Sequence, residues 1–87
     1  MTDTQRLQLH RFLLISLRTI GERGHTAAIL ASDARAELAI EIDETHMLGE
    51  LRTLSSQRLV SSIDVPLAGV RWIITSRGRA MLAEAGL

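Results

Sequence analysis

Apolar and polar positions follow several distinct rhythms along this chain, and each rhythm marks an element. Leu9, Leu13, Leu14, Leu17 and Ile20 recur at three- and four-residue steps. At about 100° per residue they gather on one arc, which predicts an amphipathic helix from Asp3 or Thr4 to Ile20, stopped by Gly21 and Gly24. His10 falls inside that arc. Phe12, Ile15 and Thr19 form a second, weaker stripe, set apart from the first by Arg11 and Arg18. A helix apolar on two sides, in so short a chain, has more apolar surface than its own fold encloses. The second stripe is therefore read as a candidate homodimer interface.

Gly21-Glu22-Arg23-Gly24 reads as a turn. Thr26, Ala28 and Leu30 then alternate with Ala27 and Ile29, which predicts a short strand from His25 to Leu30. Ser32 follows as the N-cap of a short helix through about Ala39 or Ile40, with Asp33 in its first turn. A single longer helix from Thr26 to Leu38 competes with this assignment; the shorter helix is preferred because it leaves a strand to pair with a hairpin downstream. Asp43 caps the next helix, which runs to about Gln57 with Met47, Leu48, Leu51 and Leu54 on its core side. Leu59 to Asp64 and Val70 to Thr75 are β-rich, and the link Val65-Pro66-Leu67-Ala68-Gly69 between them signals a hairpin. Thr75 caps a last helix to about Ala85, which packs Met81 and Leu82 and stops at Gly86.

At 87 residues the chain makes one domain, 1–87, and its 46% apolar content argues against disorder. One Trp, one Phe and no Tyr leave the core to aliphatic side chains. No apolar run approaches the ~20 residues of a membrane span, and a signal-peptide pattern is lacking. With no Cys there is neither a disulfide framework nor a thiolate zinc site, and a cytoplasmic location is expected.

Charge changes the picture more. Ten cations, all Arg, balance ten acids, so the basic excess of a dedicated nucleic-acid binder is absent. Catalytic chemistry finds no support either. Ser55-Ser56 and Ser61-Ser62 lack a nucleophile elbow, no Gly-rich phosphate loop occurs, and His10, His25 and His46 lack the helical spacing of a metal site. The expectation is a non-enzyme without metal or cofactor.

What remains is the outward face of the Asp43 helix: Thr45, His46, Gly49, Thr53, Ser56 and Gln57, with Arg52 at its edge. Small, uncharged polar groups around a glycine gap suit close approach to a groove wall, where Gln pairs with adenine and Arg with guanine or phosphate. Against this, Asp43, Glu44 and Glu50 border the same helix and oppose phosphates, and the hairpin tip from Val65 to Gly69 is uncharged. Those features favour a protein partner.

Several segments carry a family resemblance. Arg35-Ala36-Glu37-Leu38-Ala39, the opening Asp43-Glu44-Thr45-His46, and Leu48, Leu51, Leu54 leading into Leu59-Val60 come first. Trp72-Ile73-Ile74-Thr75 and then Arg77-Gly78-Arg79 complete the set. Together they resemble the winged-helix domains of small bacterial and phage regulators such as the MarR and ArsR families. The resemblance implies an α+β winged helix with a three-helix helix-turn-helix core, a small antiparallel hairpin wing and a C-terminal helix. It implies transcription regulation on double-stranded DNA, with the recognition helix, about 43–57, in the major groove and Arg52, Arg58 and Arg71 on the backbone. The alternative is a winged-helix interaction module that binds a protein and not DNA. Two positions depart from the family pattern: Arg58 stands where Gly is common, and the wing tip lacks basic residues.

Overall fold

A computed structural model describes residues 1–87. Its first helix, α1 (Asp3–Ile20), is opened by Thr2, whose hydroxyl accepts from the Gln5 backbone N–H at 3.1 Å while the Gln5 side chain accepts from the Thr2 N–H at 2.9 Å. This reciprocal cap satisfies two donors that a helix start otherwise leaves orphaned. A single 3-10 turn, Gly21–Arg23, then reverses the chain.

The strand expected from His25 to Leu30 does not form. Those residues enter α2 (Ala27–Leu38), so the longer helix is the correct assignment and Ser32 lies inside it. Thr26 supplies the cap, accepting from the Ile29 N–H at 3.2 Å. The physical reason is the alanines: Ala27, Ala28 and Ala31 are strong helix formers, and an alternation written in small side chains gives neither sheet face anything to bury. Only His25 pairs with the hairpin, exchanging two backbone hydrogen bonds with Trp72 at 3.1 and 2.8 Å.

Asp43 caps α3 (Glu44–Ser56) as expected, its Oδ1 accepting from the His46 N–H at 2.7 Å. The hairpin follows as β1 (Val60–Val65) and β2 (Gly69–Ile74), antiparallel from Val60 opposite Ile74 to Val65 opposite Gly69. Its turn closes through the Ala68 N–H donating to the Val65 carbonyl at 3.0 Å. Thr75 caps the closing helix, α4 (Ser76–Glu84), by accepting from the Gly78 N–H at 3.0 Å, and its hydroxyl also donates to the Arg58 carbonyl at 2.6 Å. The Thr75–Gly78 pairing has a second cause. A Cβ on Gly78 would overlap the Leu59 carbonyl and the Ile74 side chain, so only glycine lets α4 lie this close to the base of the hairpin.

The core is almost wholly aliphatic. Leu9, Leu13 and Leu17 of α1, Leu30 of α2, and Met47, Leu51 and Leu54 of α3 are all sealed from solvent, with Val60, Trp72 and Ile74 closing the hairpin side. Leu48 is half-buried at the rim. Met81, expected to pack beside Leu82, is instead 45% exposed while Leu82 is 2% exposed. On a helix of nine residues only one side meets the domain, and Gly78 and Leu82, one turn apart, occupy it. Phe12 and Ile15 of the second stripe are half-buried against the core of their own chain, and Thr19 is exposed, its hydroxyl donating to the Ile15 carbonyl at 3.0 Å. No helix is long and apolar enough to cross a membrane.

Candidate functional site

Because Met47, Leu51 and Leu54 anchor one side of α3, geometry forces Thr45, Gly49, Arg52, Thr53 and Ser56 to the opposite side, and all five are exposed. A Cβ on Gly49 would meet nothing within 4 Å. Neither backbone conformation nor packing asks for glycine there, and in mid-helix it costs about 0.5–1 kcal/mol relative to Ala. The Thr53 hydroxyl donates to the Gly49 carbonyl at 3.1 Å, and the Ser56 hydroxyl to the Thr53 carbonyl at 2.6 Å. Their protons are engaged on the helix, so toward solvent these groups present acceptor lone pairs. Arg52 has no ion-pair partner: every salt bridge in the domain converges elsewhere, on Glu50.

Glu50 is 5% exposed and faces α1 rather than solvent. Its Oε1 accepts from Arg6 Nε at 3.2 Å and lies 3.5 Å from His46 Nε2, while its Oε2 is 2.8 Å from His10 Nε2. Burial alone pushes the carboxyl up. The hydrogen bonds from His10 and Arg6, and their charges, outweigh that and hold it below the usual glutamate range. Glu50, expected among the acids that oppose phosphate, is instead an internal charge matched by three partners. The cluster is not evident from sequence, although two signals point to it. His46 and Glu50 stand four apart on one helix, and His10 lies in the apolar arc of α1, where a polar group needs a partner. One consequence is that the His46 imidazole leans to the α1 flank of the exposed face.

The other flank of α3 borders the hairpin. Glu44, Leu48 and Arg52 line a hollow there with Thr26 and Ala28 at the start of α2 and Ser62, Val70 and Trp72 of the hairpin. Trp72 is buried and its Nε1–H has no acceptor in the protein. Strand alternation puts Ser62, Val70 and Trp72 on this face of the hairpin and Arg71 on the other, where its Nη1 is 3.5 Å from the Gly24 carbonyl. Arg71 is therefore not brought to the α3 face. Gln57 is not either: it lines an apolar hollow between α1 and α4 with Leu7, Leu14 and Met81. Arg58, exposed just past α3, adopts φ 62°, a left-handed conformation that L-residues enter at a cost of about 1–3 kcal/mol. That conformation is the physical reason a glycine suits this position.

The residues brought together are thus Thr45, Gly49, Arg52, Thr53 and Ser56 at the centre, with His46 at one margin and Arg58 beyond the helix end. This face holds acceptors, one free cation and an open gap; it contains no nucleophile–base pair. No group of His, Cys, Asp and Glu side chains is arranged to hold a metal ion. Compared with known proteins, the chain matches no family model, no curated protein and no solved structure.

Proposed function

We propose that the domain is a winged helix acting as a small DNA-binding transcriptional regulator, with α3 in the major groove and the β1–β2 hairpin as its wing. One observation carries the reading. Glu50 is turned inward and matched by Arg6, His10 and His46, so the centre of the exposed face has no carboxylate, and the unpaired Arg52 stands at its hairpin edge, where Glu44 lines the same hollow. Phosphate attraction and close approach are both served by that arrangement. In this reading Thr45, Thr53 and Ser56 meet base edges over the Gly49 gap, Arg52 and Arg58 hold the backbone, and His46 lies at the margin, while Gln57 and Arg71 stand off the face and take no part. A homodimer through Phe12, Ile15 and Thr19 would present two such faces, and light scattering checks it; a monomer at high micromolar concentration would end that part of the reading.

A second reading has its own support. The tip of the hairpin is uncharged and Leu67 on it is fully exposed, as are Ile63 and Val70 in part, while the chain as a whole is neutral. A protein partner, met by a winged-helix interaction module that does not bind DNA, would use that tip. Titration against a random-sequence duplex at two salt concentrations separates the two. DNA binding predicts weak affinity that falls steeply with salt as counterions are released. Absence of binding at the lower salt overturns the DNA reading in favour of the protein one.

A further inference from the structure

A single carboxylate, nearly sealed from solvent, receives two imidazoles and a guanidinium from two different helices. Arg6 and His10 come from α1, and His46 comes from α3 itself. A buried ionised carboxylate needs a charge partner, and Arg6, half-exposed at 50%, supplies one weakened by solvent. The shortest contact belongs instead to His10, whose side chain is 18% exposed. Histidine is the residue whose charge ordinarily changes between about pH 5 and 8. We propose that the Arg6–His10–His46–Glu50 cluster is a proton-responsive joint between α1 and α3, altering both the hold of α1 on α3 and the charge beside the exposed face as the imidazoles gain or lose a proton.

Glu50 and Arg6 cancel. Each imidazole that takes up a proton then adds one positive charge on the α1 margin of α3, next to Gly49 and Thr53, which share a hollow with Arg6 and His46. A protonated imidazole also makes a charge-assisted hydrogen bond to the carboxylate, roughly twice as strong as a neutral one. The other charged groups around the joint are few. On its far side His46 faces Arg35 of α2 and the carboxylates of Glu41 and Asp43. His10 is flanked by Arg11 on its own helix and faces uncharged Gln57 of α3, while α4 presents Met81 and Leu82 to that side. Asp43 is committed to the α3 cap, so Glu50 is the acceptor both imidazoles share.

The effect of the joint on binding rests on the DNA reading above; the joint itself does not, and the test keeps the two apart. In the free chain, nuclear magnetic resonance from pH 5 to 8 follows the imidazoles of His10 and His46 with the amides and side chains of Arg6, Gly49 and Glu50. The Arg6, Gly49 and Glu50 signals are expected to move with the midpoints of the imidazoles, and to stop moving in a His10→Gln, His46→Gln double variant, whose amides still donate but do not titrate. Flat signals in the wild type, or unchanged movement in the double variant, overturn the joint. Should His10→Gln unfold the domain, His46→Gln alone, at the more exposed imidazole, is required to remove the His46-linked part of the movement. With a random duplex at fixed salt, wild-type affinity should fall as pH rises, by at most about tenfold per pH unit for each proton involved, and the double variant should be flat. An identical slope in both overturns the link to binding. Absence of any binding at low salt counts against the DNA reading, and the free-chain titration then decides the joint.

Discussion

The two sides of α3 are built on opposite terms. On the inner side every residue has an internal reason: Met47, Leu51 and Leu54 are sealed in the core, and Glu50 on the α1 flank has three partners. On the outer side internal reasons run out. Gly49 touches nothing, Arg52 pairs with nothing, and Thr53 and Ser56 bond only to their own helix. The inner side is explained by folding. The outer side is where the domain tolerates a helix-weakening glycine, and that tolerance calls for an explanation outside the fold.

Substitutions on each side sharpen or break this contrast. Leu51→Ala should cost about 2–5 kcal/mol as a core truncation, read by denaturant unfolding; a cost under 1 kcal/mol would mean the inner side is looser than its burial implies. Glu50→Ala should cost about 1–3 kcal/mol, chiefly by leaving the mostly buried His10 unpaired. The same carboxylate makes the domain acid-sensitive. Its proton is bound less readily in the folded than in the unfolded chain, so its stabilisation is complete above the ordinary glutamate value of about 4.3 and is lost as pH falls through the lower folded value. Thermal melts of wild type and Glu50→Gln should therefore converge as pH drops below about 4, and parallel curves would refute the assignment. Gly49→Ala should work the other way, raising stability by about 0.5–1 kcal/mol while weakening duplex binding. If it stabilises without affecting any binding, the gap has no functional use. Smallest in the fold is Arg52→Ala, expected within about 0.5 kcal/mol of wild type in stability, yet lowering duplex affinity and the steepness of its salt dependence.

Much of this was legible from the residues because it depends on local chemistry. Thr75 and Asp43 are caps by virtue of their own side chains, and the hairpin strands lie a single residue from where β-rich runs and the Pro-Gly link put them. The leucines of the α1 arc and Leu51 and Leu54 of α3 went to the core because period alone assigns a face. The failures have two causes, one local and one tertiary. His25 to Leu30 alternates like a strand, but small alanines gave no sheet face to pack, and helix propensity prevailed. Met81 and Leu82 are equally apolar, and only the angle at which α4 meets the hairpin separates them. Phe12 and Ile15 could not be weighed as a surface before it was known how much of them the core already covers.

The candidate site divides the same way. Its central face followed from the 3.6-residue repeat of α3 once the leucines marked the inside. Its electrostatics did not. Glu50 stands 44 positions from Arg6 and 40 from His10 in the chain, and only the packing of α1 across α3 brings them together. Sequence by itself determined that Asp43 and Thr75 cap, that the two strands of the hairpin pair and which side of α3 turns inward, because each is settled within a few residues by hydrogen bonding and periodicity. Tertiary structure alone decided that Glu50 is matched internally and that Arg71 and Gln57 lie off the central face. Those outcomes depend on distances between elements that no local pattern encodes.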